Sequence, residues 1–273
     1  MSKSKVITIG KCKMCLRAGV ELQNSHFLPA AAYRQTQDHS SPGNPNPWLL
    51  TESGAVQTSI QQTAPLLCAD CELRLSRNGE DWLFRNGPRR NGRFRLRDTL
   101  DARKPDLVGP PPRRVKLYYA AGIPEINVSA IAYFAASMFW KASVHPWKDD
   151  GGYSLKLGPW EEEFRRYLME EAEFPRHATL MVAIRQSSET DRMMYAPVGK
   201  RMQTIHVHKF PIPGFAFSLA VSKQLPSFFH NTCFVRSPGN PLILSNDLEE
   251  GILQDAQRIL ERSLSKVAAQ KAR

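Results

Sequence analysis

The chain is predicted to adopt an α+β fold in two parts. A small N-terminal ββα module stapled by paired cysteines precedes a larger C-terminal α+β domain with a mainly antiparallel sheet. Three observations predict this. Two Cys-x-x-Cys pairs, Cys12/Cys15 and Cys68/Cys71, bracket the N-terminal region. An apolar run over residues 127–143 is followed by strand-like runs between residues 179 and 235. The two regions are separated by Gly109 and three consecutive prolines, which read as a stiff, extended connection. Boundaries follow at residues 1–108, 109–116 and 117–273. A length of 273 residues suits two such units.

In the first part, residues 6–9 predict a short strand leading to the first cysteine pair. Each two-residue gap lets a tight knuckle turn two thiolates toward one ion, so Cys12, Cys15, Cys68 and Cys71 are the ligand set expected of a tetrahedral structural zinc site. Leu22 and Phe27 mark a β-turn-β piece, and Pro29 opens a short helical or irregular stretch. Residues 36–65 are rich in Pro, Gly, Ser, Thr and Gln and read as a long loop. A short helix is expected over 71–77, with Asn78-Gly79 as its break and a second apolar turn beyond. A helix leaving the second knuckle is what a treble-clef zinc module would have.

Residues 85–116 hold eleven Lys and Arg against three Asp, most of the net charge of +11. Arg93, Arg95 and Arg97 alternate with Phe94 and Leu96, the period of a strand with one cationic face. Arg89, Arg90, Arg113 and Arg114 extend the patch. Two readings stay open for it: a ribbon that tracks phosphates, or a solvated edge strand made basic against aggregation.

In the second part the apolar residues of 127–143 occupy nearly every face, so a buried helix is expected, capped by Asn127 or Ser129. Residues 153–157 alternate as a short strand. Gly158-Pro159 then begins a helix with proline at its first position and Glu161, Glu162 and Glu163 in the first turn, where the helix dipole favours anions. Trp160, Phe164, Tyr167 and Leu168 form its core stripe. TLMVAIRQ, RMQTIHVHKF, GFAFSLAVS and NTCFV read as strands. His206 and His208 share a strand face, a pair that could hold a metal or simply line a sheet. Cys233 reads as a buried thiol in a strand. An amphipathic helix is expected over 247–269.

A sequence pI near 9.6 favours a polyanionic partner, nucleic acid before anionic membrane. No uninterrupted apolar span suits a membrane-crossing helix, and the N-terminus lacks a secretory signal pattern. Five cysteines, four of them in knuckles, suit a reducing cytoplasm.

Taken in order, Cys12-x-x-Cys15, then Ser25-His26-x-x-Pro29, then Cys68-x-x-Cys71-Glu72 resembles the HNH group of ββα-metal endonucleases in their zinc-stabilised form, over roughly residues 10–85. The resemblance implies that His26 is the general base acting on the attacking water; Glu72 stands where that group has a metal-binding histidine after the last cysteine, and as a carboxylate it can still ligate a divalent cation, Mg²⁺ or Mn²⁺. Ser25 stands where that group places an acidic residue or histidine, and no asparagine occupies the orienting place near Thr63. Chemistry and proximity add Glu80, or Asp81, as a second carboxylate. The leading expectation is therefore a divalent-metal-dependent endonuclease, DNA favoured. The alternative is a zinc module that binds nucleic acid without cutting it; a protein–protein zinc adaptor is the third.

Overall fold

Paired cysteines and short alternating runs dictate the first sheet. The computed structural model describes residues 7–37, 43–50, 55–89, 91–109, 115–147, 155–185, 193–195 and 197–245. β1 (Thr8–Gly10) pairs antiparallel with β2 (Val20–His26). A seven-residue helix, α1 (Ala30–Thr36), follows directly behind Pro29. The stretch expected as loop contains β3 (Trp48–Leu50), β4 (Ala55–Gln57) and the start of β5 (Thr63–Cys68). β5 pairs antiparallel with β2, setting Leu22 opposite Cys68 and His26 opposite Thr63.

From Cys68 the chain turns into α2 (Ala69–Leu75), a π-helical turn (Ser76–Glu80) and α3 (Asp81–Asn86), one continuous helical path. The expected break at Asn78-Gly79 does not occur. Gly79 is glycine because another helix passes it: a Cβ there would lie 2.9 Å from the Cα and N of Phe134.

The basic alternation of residues 93–97 is not a strand. After an isolated bridge between Pro88 and Phe94, the chain forms α4 (Arg95–Asp101). Leu96 and Leu100, four apart and both buried, are the apolar pair of a helix, and burying them outweighs the shorter-period signal of the arginines. β6 (Leu107–Val108) and β7 (Val115–Tyr119) follow, so Val115 and Lys116 belong to a sheet rather than to a linker.

α5 (Val128–Val144) is the expected buried helix, continuously buried from Ala130 to Ala142. Asn127 Oδ1 caps it, accepting from the Ala130 amide at 2.9 Å. Residues 155–157 are irregular instead of extended, and 153–154 lie outside the described residues. α6 (Trp160–Leu168) starts behind Pro159, which is the cap and not the first helical residue.

β8 (Ala178–Arg185), β9 (Met193–Tyr195), β10 (Val198–Met202), β11 (Ile205–Ile212) and β12 (Phe215–Val221) make this region mainly β, but β9 falls in none of the expected runs and RMQTIHVHKF is divided between β10 and β11 by a turn at Gln203 and Thr204. The NTCFV run is not a strand. It begins in α7 (Ser227–Asn231) and continues as a turn closed by Ser237 N–H donating to Cys233 O at 2.9 Å. β13 (Pro241–Ser245) is an additional strand. The helix expected over 247–269 lies outside the described residues.

These elements form a mixed α+β fold. The largest sheet has seven strands in the order β10-β11-β12-β8-β13-β7-β6, antiparallel except for the β13–β8 pair. β1-β2-β5 make an antiparallel sheet, and β4-β3-β9 a third in which β3 and β9 run parallel. One buried cluster extends from Cys12 to Leu244. α5 lies at its centre: the Phe134 ring meets Phe84 of α3 on one side and Phe217 of β12 on the other, each at 5.8 Å. Among the described residues, no helix is long and apolar enough to cross a membrane.

Candidate metal centre and adjoining cleft

The first knuckle lies in the β1–β2 turn and the second at the junction of β5 and α2, and the β2–β5 pairing draws them together. The sulfur atoms of Cys12, Cys15, Cys68 and Cys71 all lie within 4.8 Å of one another, and none forms a disulfide. Cys15 Sγ and Cys68 Sγ are 3.8 Å apart. Bonds of about 2.3 Å to a tetrahedral zinc require sulfurs about 3.8 Å apart, so the set can hold a metal ion such as zinc.

Surrounding donors fit the charge such a centre would carry. Four thiolates around a dication leave a net of two negative charges. The Arg17 guanidinium donates to Cys15 Sγ and Cys68 Sγ, both at 3.4 Å, and also pairs with Asp70. The Cys68 amide donates to Cys12 Sγ at 3.4 Å. The hydrogen bond with Cys71 draws the Cys12 thiol down to about 4 and pushes that of Cys71 up, as expected where crowded thiols share protons. Burial opposes ionisation of Cys15, but the bonds from Arg17 carry it below its ordinary value. From α6, Arg165 donates to the Met14 carbonyl at 2.8 Å and so braces the first knuckle.

His26, at the end of β2, does not face this cluster. With Glu72, Glu80 and Asp81 it lines a separate cleft of about 400 Å³. The helical path that begins at Cys68 sets Glu72, Ser76, Glu80 and Phe84 at four-residue intervals along one wall. α1 forms the opposite wall and is tied across by Gln35 Nε2 donating to Phe84 O at 2.7 Å. Ser76 Oγ donates to Asp81 Oδ1 at 2.9 Å. Glu72 Oε1 is shielded from solvent and has no hydrogen-bond partner among the described residues. A carboxylate oxygen in that condition is suited to a cation.

Lys141 is a further member of the cleft, not among the residues expected there. Its side chain, 3% exposed, comes from α5 to the cleft, with Nζ 3.5 Å from Glu80 Oε1 and 3.3 Å from His26 O. The signal was available, since Lys141 is the one charged residue in the buried run. Arg34 and Arg85 were also missed, and both line the cleft with Arg89.

Other expected residues separate from the site. Ser25 is 1% exposed; its Oγ accepts from the Leu67 amide at 3.2 Å and joins β2 to β5. Arg93 lines a second cavity of about 670 Å³ that shares Arg34, Gln35 and Arg89 with the cleft. Arg95 lines a third, of about 290 Å³, with Trp82 and Arg85. Arg97 lies over the Phe94 ring at 5.1 Å. Arg90, Arg113 and Arg114 lie outside the described residues. His206 and His208 stack with centroids 6.4 Å apart and belong to no cluster of three or more metal-ligating residues among the described residues. Glu162 pairs with Arg165 at 2.7 Å, and Cys233 is buried.

In comparisons with known proteins, no family model, no curated protein and no solved structure matches the chain.

Proposed function

We propose that the chain is a divalent-metal-dependent endonuclease that hydrolyses phosphodiester bonds in nucleic acid, DNA favoured, with His26 as general base. One observation carries the reading: His26 of β2 and the Glu72 and Glu80 carboxylates of the helical path, which begins more than 40 residues later, line one cleft rimmed by Arg34, Arg85 and Arg89. Support also comes from the order of parts. A β2–β5 pair followed by α2, with one cysteine knuckle ahead of β2 and the other between β5 and α2, suits the zinc-stabilised ββα arrangement of the HNH group; Thr63, opposite His26, departs from that group in not being its orienting asparagine.

In this reading the His26 imidazole accepts a proton from water as the water oxygen attacks phosphorus, and the P–O bond to the leaving sugar oxygen breaks. Glu72 and Glu80 would hold the Mg²⁺ or Mn²⁺, which supplies stabilisation of charge on the phosphoryl and leaving oxygens. Lys141 holds Glu80 and, through the His26 carbonyl, the end of β2. The rim arginines bind the flanking phosphates.

The test is nicking of supercoiled plasmid with Mg²⁺ or Mn²⁺, with zinc measured in every preparation. Removing a general base costs about 10²- to 10⁴-fold, so His26→Ala loses nicking while keeping zinc. Glu72→Gln and Lys141→Met also lose activity. A wild-type chain that cuts neither DNA nor RNA with any divalent ion, yet binds them in a salt-sensitive way, is a zinc-dependent binding module. The Glu80–Lys141 pair favours that second reading, because it engages a carboxylate otherwise available to a cation.

A further inference from the structure

Three cavities adjoin one another along shared arginines. The cleft shares Arg89 with the second cavity and Arg85 with the third. Arg93, Arg89, Arg85 and Arg95 therefore follow one another along a continuous surface that passes His26. Arg85, Arg89, Arg93 and Arg95 are all exposed. The carboxylate in the third cavity, Glu125, is already paired with Arg103 at 3.0 Å, so it does not cancel the charge of Arg85 and Arg95.

The path is sharply bent. Asp81, Phe84 and Arg85 of α3 face the cleft, whereas Trp82, Arg85 and Asn86 face the third cavity. A ligand following the arginines must turn over the Arg85 ridge within the width of a single helix. Duplex DNA is stiff over about 150 base pairs and does not make such a turn cheaply. A single strand does. At the far side of the ridge the half-buried Trp82 offers an aromatic ring between two arginines, the combination of stacking surface and cationic groove used to hold single strands. Phe84 is not available for this, as its ring is packed edge-on against Phe134.

We infer that the substrate is a single-stranded polynucleotide, its phosphates following Arg93, Arg89, Arg85 and Arg95 and one base stacking on Trp82. The inference rests on the nucleic-acid reading above and specifies the substrate of that site. A flexible strand reaches a half-buried base such as His26 without the duplex having to open, and each arginine it meets releases a counterion.

The experiment is fluorescence anisotropy of the zinc-loaded chain with no added Mg²⁺ or Mn²⁺. The probes are a fluorescein-labelled DNA strand of about 16 nucleotides, the RNA of the same sequence, and the corresponding DNA duplex. At least one single strand is expected to bind about 10-fold or more tightly than the duplex; which one binds identifies the sugar. Trp82→Leu weakens single-strand binding about 5- to 150-fold, the range of one stacked base. Because Trp82 also touches the core, Arg95→Gln is the second variant. It is expected to lower the slope of log affinity against log salt by about 0.7. Duplex binding as tight as single-strand binding overturns the inference, as does wild-type strand affinity and salt dependence in both variants. Tight, Trp82-dependent strand binding with no cleavage under Mg²⁺ or Mn²⁺ upholds this path and removes the nuclease reading. Nicked duplex with no strand preference does the reverse.

Discussion

Gly79→Ala sets two effects of opposite sign against each other. In an exposed helix the change stabilises by about 1 kcal/mol, because alanine is the better helix former. At residue 79 the new methyl would lie 2.9 Å from both Cα and N of Phe134 and 3.0 Å from its Cβ. Comfortable carbon contacts are about 3.5–4.0 Å, so the helical path through Glu80 must move away from α5 by more than half an ångström or so. Little can yield, since the obstacle is mainly backbone and Phe134 is held between Phe84 and Phe217. Overpacking costs about 1–3 kcal/mol, and backbone on both sides points to the upper end. The expected net loss is about 1–2 kcal/mol, a fall in melting temperature of about 2–8 °C at this chain length. Thermal and urea melts of the zinc-loaded protein measure it. Glu80 is the next residue, so on the proposed endonuclease reading cleavage falls further than the lost stability explains, toward the 10²-fold or so that a 1 Å misplacement can cost. A Gly79→Ala protein that melts higher than wild type would refute the close approach of the two helices.

Two further predictions concern metal and pH. Freshly purified, reduced protein should contain one zinc per chain, and a chelator or Cys71→Ser should leave the N-terminal module open to proteolysis, because metal binding and folding are one free energy there. Elemental analysis that finds no zinc removes the centre. Burial, and then the charge of His206, hold His208 down to about 4 from an ordinary 6.5, so between those values the unfolded chain binds a proton that the native chain does not. Stability should therefore fall as pH drops from about 6.5 toward 4, by up to about 3 kcal/mol, and the slope should flatten in His208→Gln. Equal slopes in both proteins, followed by urea midpoints across that range, would show that other groups govern the acid limb.

The cysteine knuckles were legible because their spacing alone restricts the geometry: two residues between thiols leave few ways to turn, and the structure brings all four sulfurs together. α5 was legible because its residues are apolar on every face. The arginine run misled for a related reason. Five residues alternating in polarity carry the strand period, but the decisive partner of Leu96 was Leu100, outside that window. Gly79 misled through its ordinary association with breaks, whereas its requirement comes from Phe134, 55 positions away and invisible to any local pattern. The parallel pairings β3–β9 and β13–β8 were likewise unreadable, since nothing in a strand's own sequence names its neighbour. Of the cleft, His26 was singled out by lying between the two knuckles in sequence and Glu72 by following the second directly. Arg34 and Arg85 enter through tertiary packing alone, whereas Lys141 was marked in the sequence as the one charged residue of a buried run.

Lys141 is the residue for which stability offers no sufficient reason. Its helix is buried on all sides, and an aliphatic residue there would avoid the desolvation of an ammonium, a cost that a single ion pair at 3.5 Å does little more than offset. Replacing a buried pair by well-packed apolar groups is commonly neutral or stabilising. What the ammonium provides is positional: from the central helix of the shared core it reaches the His26 carbonyl on β2 and the Glu80 carboxylate beside α3. A core that needed only to be stable would have no use for that bridge, whereas a cleft that must hold an imidazole and a carboxylate at fixed separation does. The second half of the chain thereby contributes directly to the geometry of the site carried by the first.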